Sequence, residues 1–323
     1  MCLSLGVVDV SRLRVFRSVV ASGSVQAAAT NLGYTPSAVS QQISQLQRET
    51  GLTLFEKVGR GIVPTAAAKV LAAESDEVVG ALARLDHLVG DLRAGRTASL
   101  SIGCFASAGE EWVPVLARRL REEYADVHLT IDLTEMEDAS TRRQLATDIE
   151  VRTEIVDDVP VVRSGYTRTE LITEPYYVVV PEGHPVADLD EVPMSELAGE
   201  QWIGESVPGQ VCSLILRRAI RSAGVTPRFA ARCQDHHTAM ALAAVGLGVT
   251  LVPRLTLGAL PAGAVARPVV DPVPERRIAI LVRDAATTNV VALRAVEILR
   301  EIAGFGTDDG AIPPARVRGR RPA

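Results

Sequence analysis

Residues 27–51 read AAATNLGYTPSAVSQQISQLQRETG. Val39, Ile43 and Leu46 recur at i, i+4 and i+7, the stripe of one helix face. Thr35 stands before that helix as a cap, and Pro36 takes its first position, where a missing N–H costs nothing. Opposite the stripe lie Ser37, Gln41, Ser44 and Arg48, with Ser40 and Gln45 on the flanks. This face lacks the Glu/Lys pairing that usually solvates a helix. It suits a helix that enters the DNA major groove: Ser and Gln donate and accept hydrogen bonds at base edges, whereas Glu would be repelled by phosphates. A solvated third helix in a small bundle is the alternative.

Moving toward the N-terminus, Val10, Leu13, Phe16 and Val20 form one face of a helix that Gly23 ends. Ser24 caps a short second helix carrying Val25, Ala28, Ala29 and Leu32, and Gly33 supplies the turn. A small residue at 29, a turn glycine at 33 and an apolar anchor at 39 make the pattern of a helix-turn-helix. Toward the C-terminus, Leu54, Phe55, Val58, Ile62 and Val63 surround Gly59-Arg60-Gly61, which reads as the hairpin of a wing. Arg60 at its tip would reach the DNA backbone or minor groove. From Asp9 to Thr65, Arg12, Arg14, Arg17, Arg48, Lys57 and Arg60 outweigh Asp9, Glu49 and Glu56, a net charge of +3 in a chain of −5. A basic segment thus sits inside an acidic protein, as a DNA-binding end requires.

Beyond Thr65 the next proline is Pro114. Leu71, Val78, Leu82, Leu85, Val89 and Leu92 keep alternating three- and four-residue spacing, with Ser75 in the one polar slot. That heptad seam favours pairing with a second copy in a homodimer or homotetramer, against packing on its own domain.

The segment GSVQAAATNLGYTPSAVSQQISQLQRETGLTLFEK, followed by a proline-free helix, resembles the DNA-binding end of LysR-type transcriptional regulators. Gly23-Ser24, Ala28-Ala29, Thr35 to Ser40 and Leu54-Phe55-Glu56-Lys57 match that family's pattern in register. Three positions depart from it. Gln47 stands where the family usually has Glu, Lys57 replaces a common Arg, and Ala68 replaces a glycine. The resemblance implies Ser24, Thr35, Pro36, Ser37, Ser40, Gln41, Ser44, Arg48, Lys57 and Arg60 as DNA-contacting residues.

The remaining chain alternates strand and helix patterns. SLSIGC, VHLTIDLTE and TDIEVRTE read as strands, with a helix from Ala108 to Tyr124 and a short one from Thr141 to Ala146. A second series runs through EPYYVVVPEGHPVA, QWIGES, a helix from Val211 to Ser222, RFAARCQ, a helix from His236 to Val245, and GVTLVP. ERRIAILVRD and a last amphipathic helix close the chain. This alternation predicts an α/β domain with a largely parallel sheet. Two such lobes with two crossings resemble the family's effector-binding domain, itself similar to periplasmic binding proteins; GHPVA, AAVGLGVTLVP and Asp148-Ile149-Glu150-Val151 match its phrases. The expected division is a winged helix-turn-helix at 9–66, a linker helix at 67–94 and an effector domain at 98–303. Within the last, lobe I takes 98–171 and 273–303 and lobe II takes 172–272. A basic, disordered tail is expected at 304–323.

Open α/β sheets bind ligands at the carboxyl ends of strands. Ser107, Thr134, Arg152, Ser206, His236 and Thr238 are the candidates for a small-molecule effector between the lobes. Simple helix capping explains each Ser or Thr equally well. Glu205 disfavours a dianionic effector, and the adjacent His236-His237 pair cannot share a helix face as metal ligands would.

Function classes narrow further. No GxSxG, P-loop, GxGxxG or HExxH motif occurs, which argues against an enzyme and against a cofactor. No apolar run approaches the roughly 18 residues of a membrane span. The N-terminus lacks the marks of a signal peptide, and Cys2, Cys104, Cys212 and Cys233 are scattered without CxxC spacing. A reduced, cytoplasmic regulator is expected, with double-stranded DNA and a small molecule as partners. A DNA binder whose cleft no longer responds to any ligand is the competing reading.

Overall fold

The computed structural model describes residues 9–58, 61–93, 98–133, 147–205 and 210–305. Arg60, Thr134, Ser206, the helix expected at 141–146 and the tail from residue 306 lie outside these described residues. The chain divides into two compact units, one N-terminal to Gly95 and one from Arg96 onward.

In the first unit, α1 spans Val10–Ser22, α2 Val25–Leu32 and α3 Pro36–Thr50. Each begins on a side-chain cap: Asp9 accepts from Ser11 N–H, Ser24 from Ala27 N–H and Thr35 from Ala38 N–H. Gly33 closes α2 at φ 68°, a left-handed conformation that costs glycine nothing, and turns the chain into α3. Strands β1 (Phe55–Val58) and β2 (Gly61–Pro64) pair antiparallel as the wing. The core gathers Leu13, Phe16, Val19, Ala28, Ala29, Val39, Ile43, Leu46 and Leu54. The rings of Phe16 and Phe55 meet edge to face at 5.8 Å between centroids, which ties the wing to α1. Helix α4 then runs from Ala66 to Arg93.

In the second unit, lobe I opens with β3 (Ser99–Cys104), α5 (Ala106–Glu111), α6 (Val113–Glu123), β4 (His128–Leu133) and β5 (Ile149–Ile155). The single helix expected from Ala108 to Tyr124 is broken at Trp112, because Pro114 is suited to a helix start and not to an interior. Strand β6 (Tyr166–Pro181) passes from lobe I into lobe II, which continues with β7 (Val192–Pro193), β8 (Gln201–Glu205), α7 (Val211–Ser222), β9 (Arg228–Cys233), α8 (His236–Ala244), β10 (Thr250–Pro253) and β11 (Ala264–Val270). Strand β12 (Glu275–Arg283) returns to lobe I, and α9 (Val290–Phe305) ends the unit.

The sheet is mixed, which corrects the expectation of a largely parallel one. β3 pairs parallel with β4 and β5, and β8 with β9, as βαβ units require. The returning strand β12, however, lies antiparallel between β5 and β6, and β10 and β11 flank the far end of β6 antiparallel. Strand β6 is covered on both faces in lobe II. Tyr176, Val178 and Val180 enter one core and Val179 the other, so its sequence is a continuous apolar run. Gly248 lets the chain before β10 touch β8: a Cβ there would stand 2.5 Å from the Gln201 carbonyl oxygen.

Gln47 explains its departure from the family pattern. Its side-chain oxygen accepts from Leu54 N–H at 2.7 Å and Phe55 N–H at 3.4 Å, bolting the end of α3 to the start of the wing. A neutral amide does this without adding negative charge to a basic unit. Gln47→Ala leaves both donors without that acceptor and is expected to cost about 1–2 kcal/mol, read as a lower urea midpoint at unchanged m-value.

Candidate DNA interface and ligand cleft

Helix α3 buries Val39, Ile43 and Leu46 and exposes Ser37, Ser40, Gln41, Ser44 and Arg48. The exposed row is uncharged until its last turn. There Arg48 donates to Gln45 at 2.6 Å, and Gln45 in turn donates to Glu49. Glu49 is also gripped by Arg12 of α1 at 2.7 and 2.8 Å, so its charge is answered within the unit. Ser24 and Thr35 spend their side-chain oxygens on helix caps, and Thr35 also meets the Ser37 hydroxyl at 3.1 Å. Pro36 is exposed at the head of α3 and Lys57 is exposed on β1.

Helix α4 does not treat its seam residues alike. Leu71 packs against the core of the first unit, as do Ala72 and Val79. Ser75, the polar residue of the seam, is buried and returns its hydroxyl to the Leu71 carbonyl. Farther along, Val78, Leu85 and Val89 are exposed, by 46%, 52% and 38%, and Leu82 is half-buried. The first turns of α4 thus serve the unit's own core, and the later turns present unpartnered apolar side chains.

Between lobes I and II of the second unit lies a cleft of about 90 Å³, whose walls include Ser107, Thr153, Gln210, Cys212, His236 and Arg276. Ser107 and His236 are therefore brought together as expected from their strand-edge positions. Thr238 is not in this wall; its hydroxyl and N–H both go to the Asp235 carboxylate at 2.7 Å. Arg152, expected at a strand end, sits in the middle of β5. Alternation along that strand aims Val151 and Thr153 at the cleft and Arg152 away from it, to Glu150 at 3.3 Å and Glu154 at 3.9 Å.

The residue that organises the cleft is Arg276, on β12. It is opposite Glu174 of β6 in the antiparallel register, and its Nε donates to the Glu174 carboxylate at 2.7 Å. Its Nη2 donates to the Ser107 hydroxyl at 3.1 Å, and the guanidinium stacks 4.6 Å from the Phe105 ring centroid. The other Glu174 oxygen accepts from Leu255 N–H at 2.8 Å. Arg276 and Glu174 are 1% and 3% exposed, so this is a buried and hydrogen-bonded ion pair. Sequence reading overlooked it because the partners are 102 residues apart. The one available signal was the charged start Glu275-Arg276-Arg277 of a strand whose next five residues are apolar.

Charge at the rim is acidic. Asp235 caps α8 by accepting from His237 and Thr238 N–H, so the positive end of that helix already faces an internal carboxylate. Burial works against the charged form of Asp235, but the hydrogen bonds from Thr238 and His237 prevail and hold its pKa below the ordinary value. His237 faces Glu110 at 3.4 Å. Burial, with the charge of Arg276 adding to it, pushes the His236 imidazole down to about 4, so the ring is neutral at pH 7. Cys104 lies in the lobe I core, where burial raises its thiol to about 11 and keeps it protonated. Among the described residues no cluster of three His, Cys, Asp or Glu side chains could hold a metal ion, and no helix is long and apolar enough to cross a membrane.

Residues 10–69 match the model of the bacterial regulatory helix-turn-helix proteins of the lysR family, and residues 93–304 match the LysR substrate binding domain. The chain belongs to the LysR family of transcriptional regulators. It is 27% identical over 245 residues to the octopine catabolism/uptake operon regulatory protein OccR of Rhizobium meliloti, covering 76% of this chain and 79% of OccR. It is 28% identical over 207 residues to the regulator CbbR of Sinorhizobium medicae, a match that spans 61% of each protein. The solved structure of CbnR, a LysR family transcriptional regulator, shares the fold with a TM-score of 0.59 at 18% identity, covering 92% of this chain and 99% of that one. In this chain a DNA-binding helix-turn-helix is joined to an effector-binding domain.

The shifted histidine yields a pH test. Unfolded, His236 takes up a proton near 6.5, whereas in the native protein it does so only near 4. Native stability contributed by the neutral ring is complete above pH 6.5 and is lost as pH falls toward 4. Urea midpoints at pH 7 and 4.5 are expected to fall less for His236→Gln than for the wild type; equal falls would mean that the ring titrates normally.

Proposed function

We propose that this LysR family regulator reads its operator with the exposed row Ser37, Ser40, Gln41 and Ser44 of α3. The observation carrying this reading is the uncharged, hydrogen-bonding face of a helix that buries Val39, Ile43 and Leu46, within a basic segment. Ser24, Thr35 and Pro36 set the approach of α2 and α3, and Arg48, Lys57 and Arg60 grip phosphates. Arg60, at the wing tip, enters this reading from the sequence alone.

Two copies pair through the later turns of α4, where Val78, Leu85 and Val89 are exposed at heptad spacing. A small effector enters the cleft of the second unit and meets Ser107, His236 and the guanidinium of Arg276. The acidic rim and the Asp235 cap favour a neutral or cationic effector over a dianion. The protein is a regulator and not an enzyme, and it works on DNA in the cytoplasm. Supporting this, its relatives are named as regulators, and the cleft hydroxyl of Ser107 faces an arginine where a nucleophile would need a base.

Two measurements test the reading. Against operator fragments selected by the wild type from random duplexes, Gln41→Ala is expected to lose roughly 1–3 kcal/mol, with little change on unselected DNA. Equal losses on both would make Gln41 a backbone contact. Leu85→Glu places like charges in the α4 pairing, and sedimentation is expected to show monomers that no longer footprint the operator. A dimer that footprints normally would remove α4 from the interface.

A further inference from the structure

We propose that the effector of the cleft is a small α-amino acid, held with its carboxylate at the floor and its ammonium at the mouth. This rests on the reading that an effector enters the cleft, and adds the ligand's chemical class to it.

The floor is built of donors. Ser107, Thr153 and Arg276 line it and are only 3%, 7% and 1% exposed. Arg276 commits Nε to Glu174, and Nη2 to Glu174 and the Ser107 hydroxyl. Among the described residues its Nη1 donates to nothing. Ser107 accepts from the guanidinium, so its own proton is left over, and the Thr153 hydroxyl likewise has no acceptor among the described residues. Buried donors are ordinarily satisfied, and one oxyanion satisfies several at once. Glu174 already balances the guanidinium charge, so the floor suits a single carboxylate and not a dianion.

The mouth is built of acceptors. Glu110 of α5 and Asp235, the cap of α8, reach it from opposite lobes, with side chains 47% and 45% exposed. The Asp235 oxygens are taken by N–H groups, but its charge remains; the Glu110 carboxylate meets His237 at 3.4 Å. Donors below and carboxylates above call for a ligand that carries an anion at one end and a cation at the other. The two ends are close, because His236 feels the charges of both Arg276 and Asp235. An ammonium and a carboxylate on one carbon have that short span. The cleft of about 90 Å³ is smaller than the cavity of about 150 Å³ that holds a benzene. Its apolar wall, with Val151, Val211 and Cys212, therefore has room for a side chain of one or two heavy atoms at about that scale.

Calorimetric titration of the full chain with L-alanine, propionate and L-alaninamide tests this, since the last two each lack one of the charges. The wild type is expected to bind L-alanine about tenfold more tightly than either. Glu110→Gln alters an exposed side chain and is expected to weaken L-alanine about threefold while leaving propionate unchanged. Thr153→Val removes a floor donor at constant shape and is expected to weaken both by about threefold or more. Ser107→Trp, checked for native circular dichroism, is expected to abolish binding of all three. Propionate or L-alaninamide bound as tightly as L-alanine, and lost in Ser107→Trp, would overturn the amino acid while the cleft stands as the effector site. L-alanine bound equally by Ser107→Trp and Thr153→Val would place it outside the cleft and overturn the proposal. Absence of any binding by L-alanine would overturn it as well.

Discussion

A guanidinium buried as deeply as that of Arg276 has to be answered where it stands, because an unpaired charge in the interior costs several kcal/mol. Glu174 answers it from the neighbouring strand, and Leu255 N–H and the Ser107 hydroxyl use the remaining capacity of the pair. The pair lies on β6 and β12, the strands through which the chain passes between the lobes. It fastens the hinge side of the cleft and lends the cleft its fixed positive group. Lobe I reaches it through Ser107 and Phe105, and the chain after β10 through Leu255. A ligand that competes for Ser107 would disturb the contact that joins these parts.

The first unit rests on neutral devices. Three helices begin on side-chain caps, the turn depends on Gly33, and the wing is held by the Gln47 amide and the Phe16–Phe55 contact. The one carboxylate of α3, Glu49, is answered by Arg12. The hydroxyl and amide groups of the α3 row stay exposed.

Local features were legible in the sequence. The limits of α2 and α3 followed from a cap, a turn glycine and 3.6-residue periodicity, all of which act over a few residues. Strand β11 was not legible, because Pro268 within AVARPVV reads as a break; the structure accommodates it opposite Tyr177. Arg152 was misplaced for a different reason. A strand's sequence gives alternation but not phase, and only the pairing of β5 with β3 and β12 decides which side faces the cleft. Arg276 escaped notice because its role exists only when segments about 100 and 170 residues away converge on it.

The carboxylate of Asp235 lies across the first turn of α8, where it satisfies two backbone donors and half-neutralises the helix end. Part of the charge at the cleft rim therefore hangs on a group that contributes little else to the core. Exchange of that one acid for serine would keep a cap and lift a full negative charge from the rim in a single step. A fold of this kind can drift between classes of inducer without repacking its interior, which gives duplicated copies an inexpensive route to new signals.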